Sequence, residues 1–352
     1  MVGDRTVPST AFDTFFACTL IVMAVLIATA FLGVTLQARI AGTDDINKDS
    51  YLKALADHIV TYPGSPINWG KENTVPSDFG LALSELTGAY QLDIDKISRL
   101  NSQNTNTFSY VELLYSAKLN NMSLGISATQ VMDLHVEQLD SEILAGVTYS
   151  DLSLSTSINS KPISADLRYY VVSENFFYND SSIIPSSGNG ILTVHVPTHI
   201  ADVAYVVLFA RSTFEERITS YAVYSFADGV QESVPKSIGL SLSPQSYRLN
   251  FTQASLVSVQ NVFALTYGYS SNITSFQGSS CAIPRMVDNS PIVLVACGQN
   301  STQYLEEWTA YPQVPLTAGS TFANSERNIF GYLVTVEGVL YRVEISLGDI
   351  YR

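Results

Sequence analysis

The spacing of apolar residues changes twice along this chain of 352 residues. Thr14 to Ala38, TFFACTLIVMAVLIATAFLGVTLQA, carries no charge between Asp13 and Arg39. From there to about residue 125, apolar positions recur three and four apart in short stretches. From Gln130 onward they alternate with polar ones. These periods predict one long helix, a short helical collar and a large antiparallel β body. The expected boundaries are a tail at 1–13, a membrane-spanning helix at 14–38, a membrane-proximal helical segment at 39–128, a β-sandwich at 129–232 and a second β-rich domain at 233–352.

As a helix, the uncharged run would be about 37 Å long, more than the ~30 Å apolar core of a bilayer. Ala28-Thr29-Ala30 has the small-residue form of a cleavage site, but Phe31-Leu32-Gly33-Val34 continues the apolar stretch beyond it. The run therefore reads as a retained anchor in membrane lipid rather than a removed signal. Ala24 and Ala28, four apart, would allow close helix contact and are the helix-packing candidates.

In the collar, Ser50 is the expected cap of a helix carrying Leu52, Leu55, Ala56 and Ile59, and Pro63-Gly64 is its expected stop. Asp93 is placed to cap LDIDKISRLN, and Ser109 and Glu112 form a capping box. Beyond it, VMDLHVEQL, DLSLSTSI, ISADLRYYVV, GILTVHVP and VAYVVLFAR read as half-buried strands of a sandwich. Residues 229–239 look like a boundary, and VTVEGVLYRVEISL like a terminal hairpin turning at Glu337-Gly338.

Composition narrows the function. Only 14% of residues are charged, the net charge is −14, and Tyr (20) and Phe (16) are abundant. The acidic balance and the lack of any Lys/Arg cluster exclude nucleic acid as an expected partner. Five Asn-x-Ser/Thr sequons, at Asn121, Asn179, Asn250, Asn272 and Asn300, are candidate glycan acceptors. Cys281 and Cys297 could close a loop worth about 3 kcal/mol as a disulfide in an oxidising compartment. Sequons and cysteines together favour a cytoplasmic amino terminus and an extracellular body.

Catalytic signatures are missing. The chain has no G-x-S-x-G, P-loop, dinucleotide fingerprint or H-E-x-x-H. Pro197 separates His195 from His199, so no metal pair is expected there. Glu215-Glu216 and Glu306-Glu307 read as solvated pairs, and Trp69 and Trp308 as packing residues that could also stack on sugars. No cofactor or metal is implied.

The succession YPGSPINWG, PSDFGLAL, YQLDIDKISRLN and SYVELLYSAKL resembles the helical section that follows the membrane helix in uncharacterised archaeal surface proteins. The polar leader, Asp13 and the uncharged run resemble a type IV pilin-like amino terminus. GVTYSDLSLSTSINSKPISADLRYYVVSENF resembles the opening strands of an immunoglobulin-like domain. These resemblances imply a membrane-anchored surface protein, mainly β, with no active-site residues to carry over. The expected role is structural or adhesive, without catalysis, toward other surface proteins or copies of itself. A pilin-like filament subunit and a surface carbohydrate-binding module or hydrolase are the alternatives.

Overall fold

The computed structural model describes residues 19, 21–23, 25–27, 29, 48–72, 74–84, 90–119, 122–173, 176–197, 204–227, 230–231, 238–243, 247–252, 257–286, 288–301, 304–320 and 327–349. The chain divides into two units, residues 1–55 and 56–352. In the first, residues 19, 21–23, 25–27 and 29 are helical. The apolar side chains from Ile21 to Ile27 that are described are 55–67% exposed. Most of the expected 14–38 helix, with Ala24 and Ala28, lies outside the described residues. Among the described residues, no helix is long and apolar enough to cross a membrane.

Residues 48–61 form helix α1, which starts before Ser50, so that serine is inside the helix and not its cap. Two expected caps are present. Helix α2 (Ile94–Ser98) is capped by Asp93, whose side chain accepts from the N–H groups of Asp95 and Lys96. Helix α3 (Tyr110–Ser116) starts at the Ser109–Glu112 capping box. Between them the collar is mostly loop. Trp69, fully buried, donates from Nε1 to the carbonyls of Pro63 (3.2 Å) and Gly80 (3.0 Å). Gly80 is required there, because a Cβ would lie 2.1 Å from the Tyr62 carbonyl oxygen.

The body is mainly β, and its sheets are antiparallel. Strands are numbered in chain order. The middle sheet runs β10 (Val230–Gln231), β9 (Thr219–Ala227), β8 (Ala204–Ser212), β5 (Ala165–Ser173), β6 (Phe176–Ile184). The front sheet pairs β2 (Asp133–Leu144) with β3 (Val147–Ile158), which also pairs β4 (Lys161–Pro162) and β7 (Asn189–Pro197). The back sheet runs β14 (Ser270–Ile273), β13 (Ser258–Leu265), β16 (Ile292–Gln299), β17 (Tyr304–Tyr311).

These three sheets stack with the middle one shared. One core joins front to middle: Leu152 and Leu154 of β3 and Leu192 and Val194 of β7 meet Leu167 and Val171 of β5 and Val206 and Leu208 of β8. A second core joins middle to back: Tyr170, Tyr205, Val207 and Phe209 meet Phe263, Leu265, Val293, Val295 and Cys297. Strand β8 is therefore buried on both faces, at every position but Arg211. The half-buried alternation expected of VAYVVLFAR is absent because that strand lies in the interior layer of the stack.

Two further sheets complete the unit. The terminal sheet runs β18 (Leu316–Gly319), β1 (Met122–Gln130), β20 (Val339–Asp349), β19 (Arg327–Val336), so the first body strand pairs with the last. The β19–β20 hairpin turns at Glu337 (φ 47°) and Gly338 (φ 85°), as its sequence predicts. The small sheet runs β11 (Leu240–Ser243), β12 (Arg248–Phe251), β15 (Ser280–Ala282).

The expected Cys281–Cys297 disulfide is not formed; both residues are buried thiols. Cys281 lies on β15 of the small sheet, opposite Leu249, whereas Cys297 lies on β16 of the back sheet and faces the aromatic core. The two belong to different sheets, so neighbouring positions in sequence do not become partners.

Candidate functional site

A polar cleft of the second unit holds about 550 Å³. The collar contributes Lys71 and Gln91 to it, the segments beside the small sheet give Tyr247 and Arg285, β17 ends in it at Tyr311, and the terminal hairpin adds Glu337. Each arrives for a local reason. Leu92 N–H donates to the Thr335 carbonyl and Thr335 N–H to the Tyr90 carbonyl (both 2.9 Å), which lays the collar segment containing Gln91 along β19 through an isolated bridge. The two-residue turn brings Glu337 to the cleft. Gly338 then passes so close to Asn289 that a Cβ would lie 2.4 Å from its Oδ1.

Behind the wall sits Asp95, only 1% exposed. Tyr311 Oη donates to its Oδ1 at 2.7 Å, and Lys71 Nζ lies 3.9 Å from its Oδ2. Burial pushes the Asp95 carboxyl up to about 6, against the opposing pull of the Tyr311 hydrogen bond. Burial also raises the Tyr311 phenol far above its ordinary value, and the Asp95 charge adds to this. The Tyr311 and Tyr247 rings meet edge to face at 5.4 Å, and the Arg285 guanidinium lies 4.5 Å from the Tyr247 ring centre.

The neighbouring charges are already engaged. Lys96, fully buried, donates to the carbonyls of Pro63 (2.7 Å) and Ala82 (2.6 Å), and burial lowers it to about 8. Asp288 accepts from Arg211 (2.7 Å), the Gly268 N–H (2.6 Å) and Ser290 Oγ (3.0 Å). Burial opposes ionisation of Asp288, but these donors hold its carboxyl below the usual range. The mouth thus presents two cations, Lys71 and Arg285, and the Glu337 carboxylate around two tyrosine rings. That arrangement suits recognition of a small polar ligand. Asp95 has a proton affinity suited to acid–base chemistry, but Tyr311 and Lys71 stand between it and the cleft.

A second cleft of about 370 Å³ is lined by Tyr205, Tyr221, Trp308 and Glu307, among others. Trp308 packs against the aromatic core, edge to face with Tyr221 at 6.3 Å. Trp69 belongs to the collar core and lines neither cleft.

Other residues singled out by the sequence fall elsewhere. Glu306 and Glu307, expected to be solvated, are both 4% exposed. Glu307 accepts from the N–H groups of Ile238 (2.8 Å), Gly239 (2.7 Å) and Leu240 (3.1 Å), holding the start of β11 against β17. Glu215 instead pairs with Arg217 near the surface (2.9 Å). His195 lies on β7 beside Tyr178, while His199 is outside the described residues. No group of three or more His, Cys, Asp or Glu among the described residues could hold a metal ion. Of the sequons, Asn179 and Asn272 are exposed, Asn250 and Asn300 are half-buried, and Asn121 lies outside the described residues.

The cleft residues were not legible in advance. Lys71, Tyr247, Arg285, Tyr311 and Glu337 are far apart in sequence and belong to no motif. The one local signal was IDKIS, where a cap and apolar spacing place an Asp and a Lys within a helix too short to expose both. No family model matches this chain, and no curated protein is similar to it.

Proposed function

We propose that this is a single-pass membrane protein whose β body stands outside the cell in a structural or interaction role without catalysis. The observation that carries this reading is the uncharged run at 14–38, whose described apolar side chains are 55–67% exposed in the chain by itself. Apolar helical side chains so uncovered call for a solvent other than water, and lipid meets that need. The immunoglobulin-like kinship of the strands from residue 146 to 176 belongs to the same reading and is supported by antiparallel sheets packed face to face. Limited proteolysis of intact cells, with the intact mass of the protected remnant, tests it. The expected remnant contains residues 14–38 and lacks the body. A chain that partitions into the aqueous phase without detergent would overturn the reading.

The cleft favours a second reading, in which the body recognises a polar ligand such as a sugar. Calorimetric titration with a neutral hexose and with a uronic acid tests it. Binding should weaken at least tenfold in Arg285→Ala, and absence of heat with either sugar counts against it.

A further inference from the structure

We propose that Asn179 and Asn272 are a matched pair of N-glycan acceptors that together cover the open rim between the middle and back sheets. This rests on the reading that the body is exported, because the glycan donor must meet the chain outside the cytoplasm.

Strand register carries the argument. Strands β6 and β14 are the end strands of their sheets. Asn179 stands directly opposite Tyr170, and Asn272 directly opposite Phe263. Directly opposed residues of an antiparallel pair project from the same face. Tyr170 and Phe263 both belong to the core between these two sheets, so both asparagines face the same interlayer space from its rim. The gap is closed by Phe177, two residues before Asn179, whose ring stacks on Phe263 at 5.3 Å and 4°. The rim thus has a 38%-exposed phenylalanine flanked by two exposed sequon asparagines.

The acceptor chemistry fits these two positions. Arg168 Nη2 donates to Asn179 Oδ1 at 3.4 Å, so the carboxamide oxygen, and not the acceptor nitrogen, is engaged by that arginine. The hydroxyl residues of both sequons, Ser181 and Thr274, are exposed as well. Transfer forms a bond from Asn Nδ2 to the anomeric carbon of a polyprenyl-phosphate-linked glycan. The bond from that carbon to the lipid phosphate breaks, the phosphate leaves with the electron pair, and the amide loses one proton. Asn250 contrasts in its strand position and in the engagement of its sequon hydroxyl, although Thr252 is exposed too. It sits on the central strand of the small sheet between Ser241 and Ser280, and its sequon hydroxyl, Thr252, donates to the Gly239 carbonyl at 2.8 Å. A bulky hydrophilic group on each end strand would also block sheet-to-sheet pairing through the exposed edges.

The test is glycopeptide mapping of the protein purified from membranes of its own cells, alongside protease shaving of those cells. The expected result is glycan mass on the Asn179 and Asn272 peptides, none on Asn250, and stepwise loss of that mass in Asn179→Gln and Asn272→Gln. Bare Asn179 and Asn272 in a body that shaving removes would overturn the pairing while leaving export intact. A body protected from shaving overturns export and the pairing with it. Glycan on Asn250 equal to that on the other two would also overturn the proposal, since folded-state access would then not select the sites.

Discussion

The collar and the layered body are stabilised by opposite means. The body buries aliphatic and aromatic faces on both sides of one shared sheet, and the residues common to its cores are almost all apolar. The collar instead concentrates buried charge in one short helix and its flank. Asp95, Lys96 and Arg99, within five residues, are at most 3% exposed. Arg99 donates to the carbonyls of Trp69, Glu72, Thr74 and Asn106, tying together loops that have no ladder of their own. A region with too few regular elements satisfies its backbone carbonyls with long cationic side chains. A region of paired strands satisfies them with its neighbours and can fill its interior with apolar groups. It follows that the collar should add a pH dependence, through Asp95 and Lys96, that the apolar layers of the body do not.

The largest expected effect is in the body. Phe209 and Leu208 are adjacent on β8, fully buried, and point into different cores. Phe209→Ala should cost about 3–5 kcal/mol and Leu208→Ala about 2–5 kcal/mol, because both leave cavities in close-packed layers. Hydrogen exchange should separate the two variants. The first should lose protection chiefly in β13 and β16, and the second in β3 and β7. Loss spread evenly over all three sheets in both variants would mean that the two cores do not behave as separate layers.

The collar should reveal itself in a pH scan. The Asp95 carboxyl is raised from 3.8 to about 6, so between those values the folded chain holds a proton that the unfolded chain has released. Stability should therefore fall as pH rises through that window, by about 3 kcal/mol at most. Lys96 is lowered from 10.5 to about 8, so above pH 8 the unfolded chain holds the proton that the folded chain has lost. Stability should rise again toward pH 10.5 by a similar amount, about 3 kcal/mol. Urea midpoints across pH 4–10 check both limbs. Lys96→Met should flatten the alkaline limb and leave the acidic one, while Phe209→Ala should keep the shape of the whole curve.

Tyrosine hydroxyls that cross between layers predict a smaller effect. In the front core Tyr224 donates to Gln138 Oε1 (2.7 Å), and in the back core Tyr170 donates to the Thr266 carbonyl (2.9 Å) and Tyr205 to the Glu306 carbonyl (3.1 Å). Tyr170→Phe and Tyr205→Phe should each cost about 0.5–1.5 kcal/mol in urea unfolding. A loss near zero would show that these bonds add nothing to the apolar contact between the layers.

Sequence spacing revealed the parts of this structure that depend on neighbours. Asp93 and the Ser109–Glu112 pair cap helices because capping needs only residues three apart. Glu337-Gly338 turns the hairpin because a two-residue turn needs positive φ. Alternation in DLSLSTSI survives as the burial of Leu152 and Leu154 because β3 has one face in a core. What could not be read depends on distant segments. The interior position of β8 needs a third sheet, built from residues after 257. The pairing of β1 with β20 joins segments more than 200 residues apart. Glu307 looks solvated in the sequence because its partners, the backbone N–H groups of residues 238–240, have no side-chain signature. The cleft fails to show for the same reason, since six segments meet there only after the terminal sheet closes.

The smallest expected effect is the response to reductant, and it tests how the small and back sheets are joined. Cys281 and Cys297 lie on these two sheets as buried thiols, and burial pushes the Cys281 thiol up to about 11 against the pull of Arg248. A thiol so protonated and covered is a poor nucleophile at neutral pH. Dithiothreitol should therefore leave the Tm of the purified protein unchanged. Alkylation at pH 8 should spare both residues in the folded chain and modify both once it is unfolded, without prior reduction. If alkylation of the unfolded chain required reductant, the two sheets would be joined covalently, a constraint worth about 3 kcal/mol. In that case the Glu307 hydrogen bonds and apolar contact would not by themselves account for how this part of the body is held.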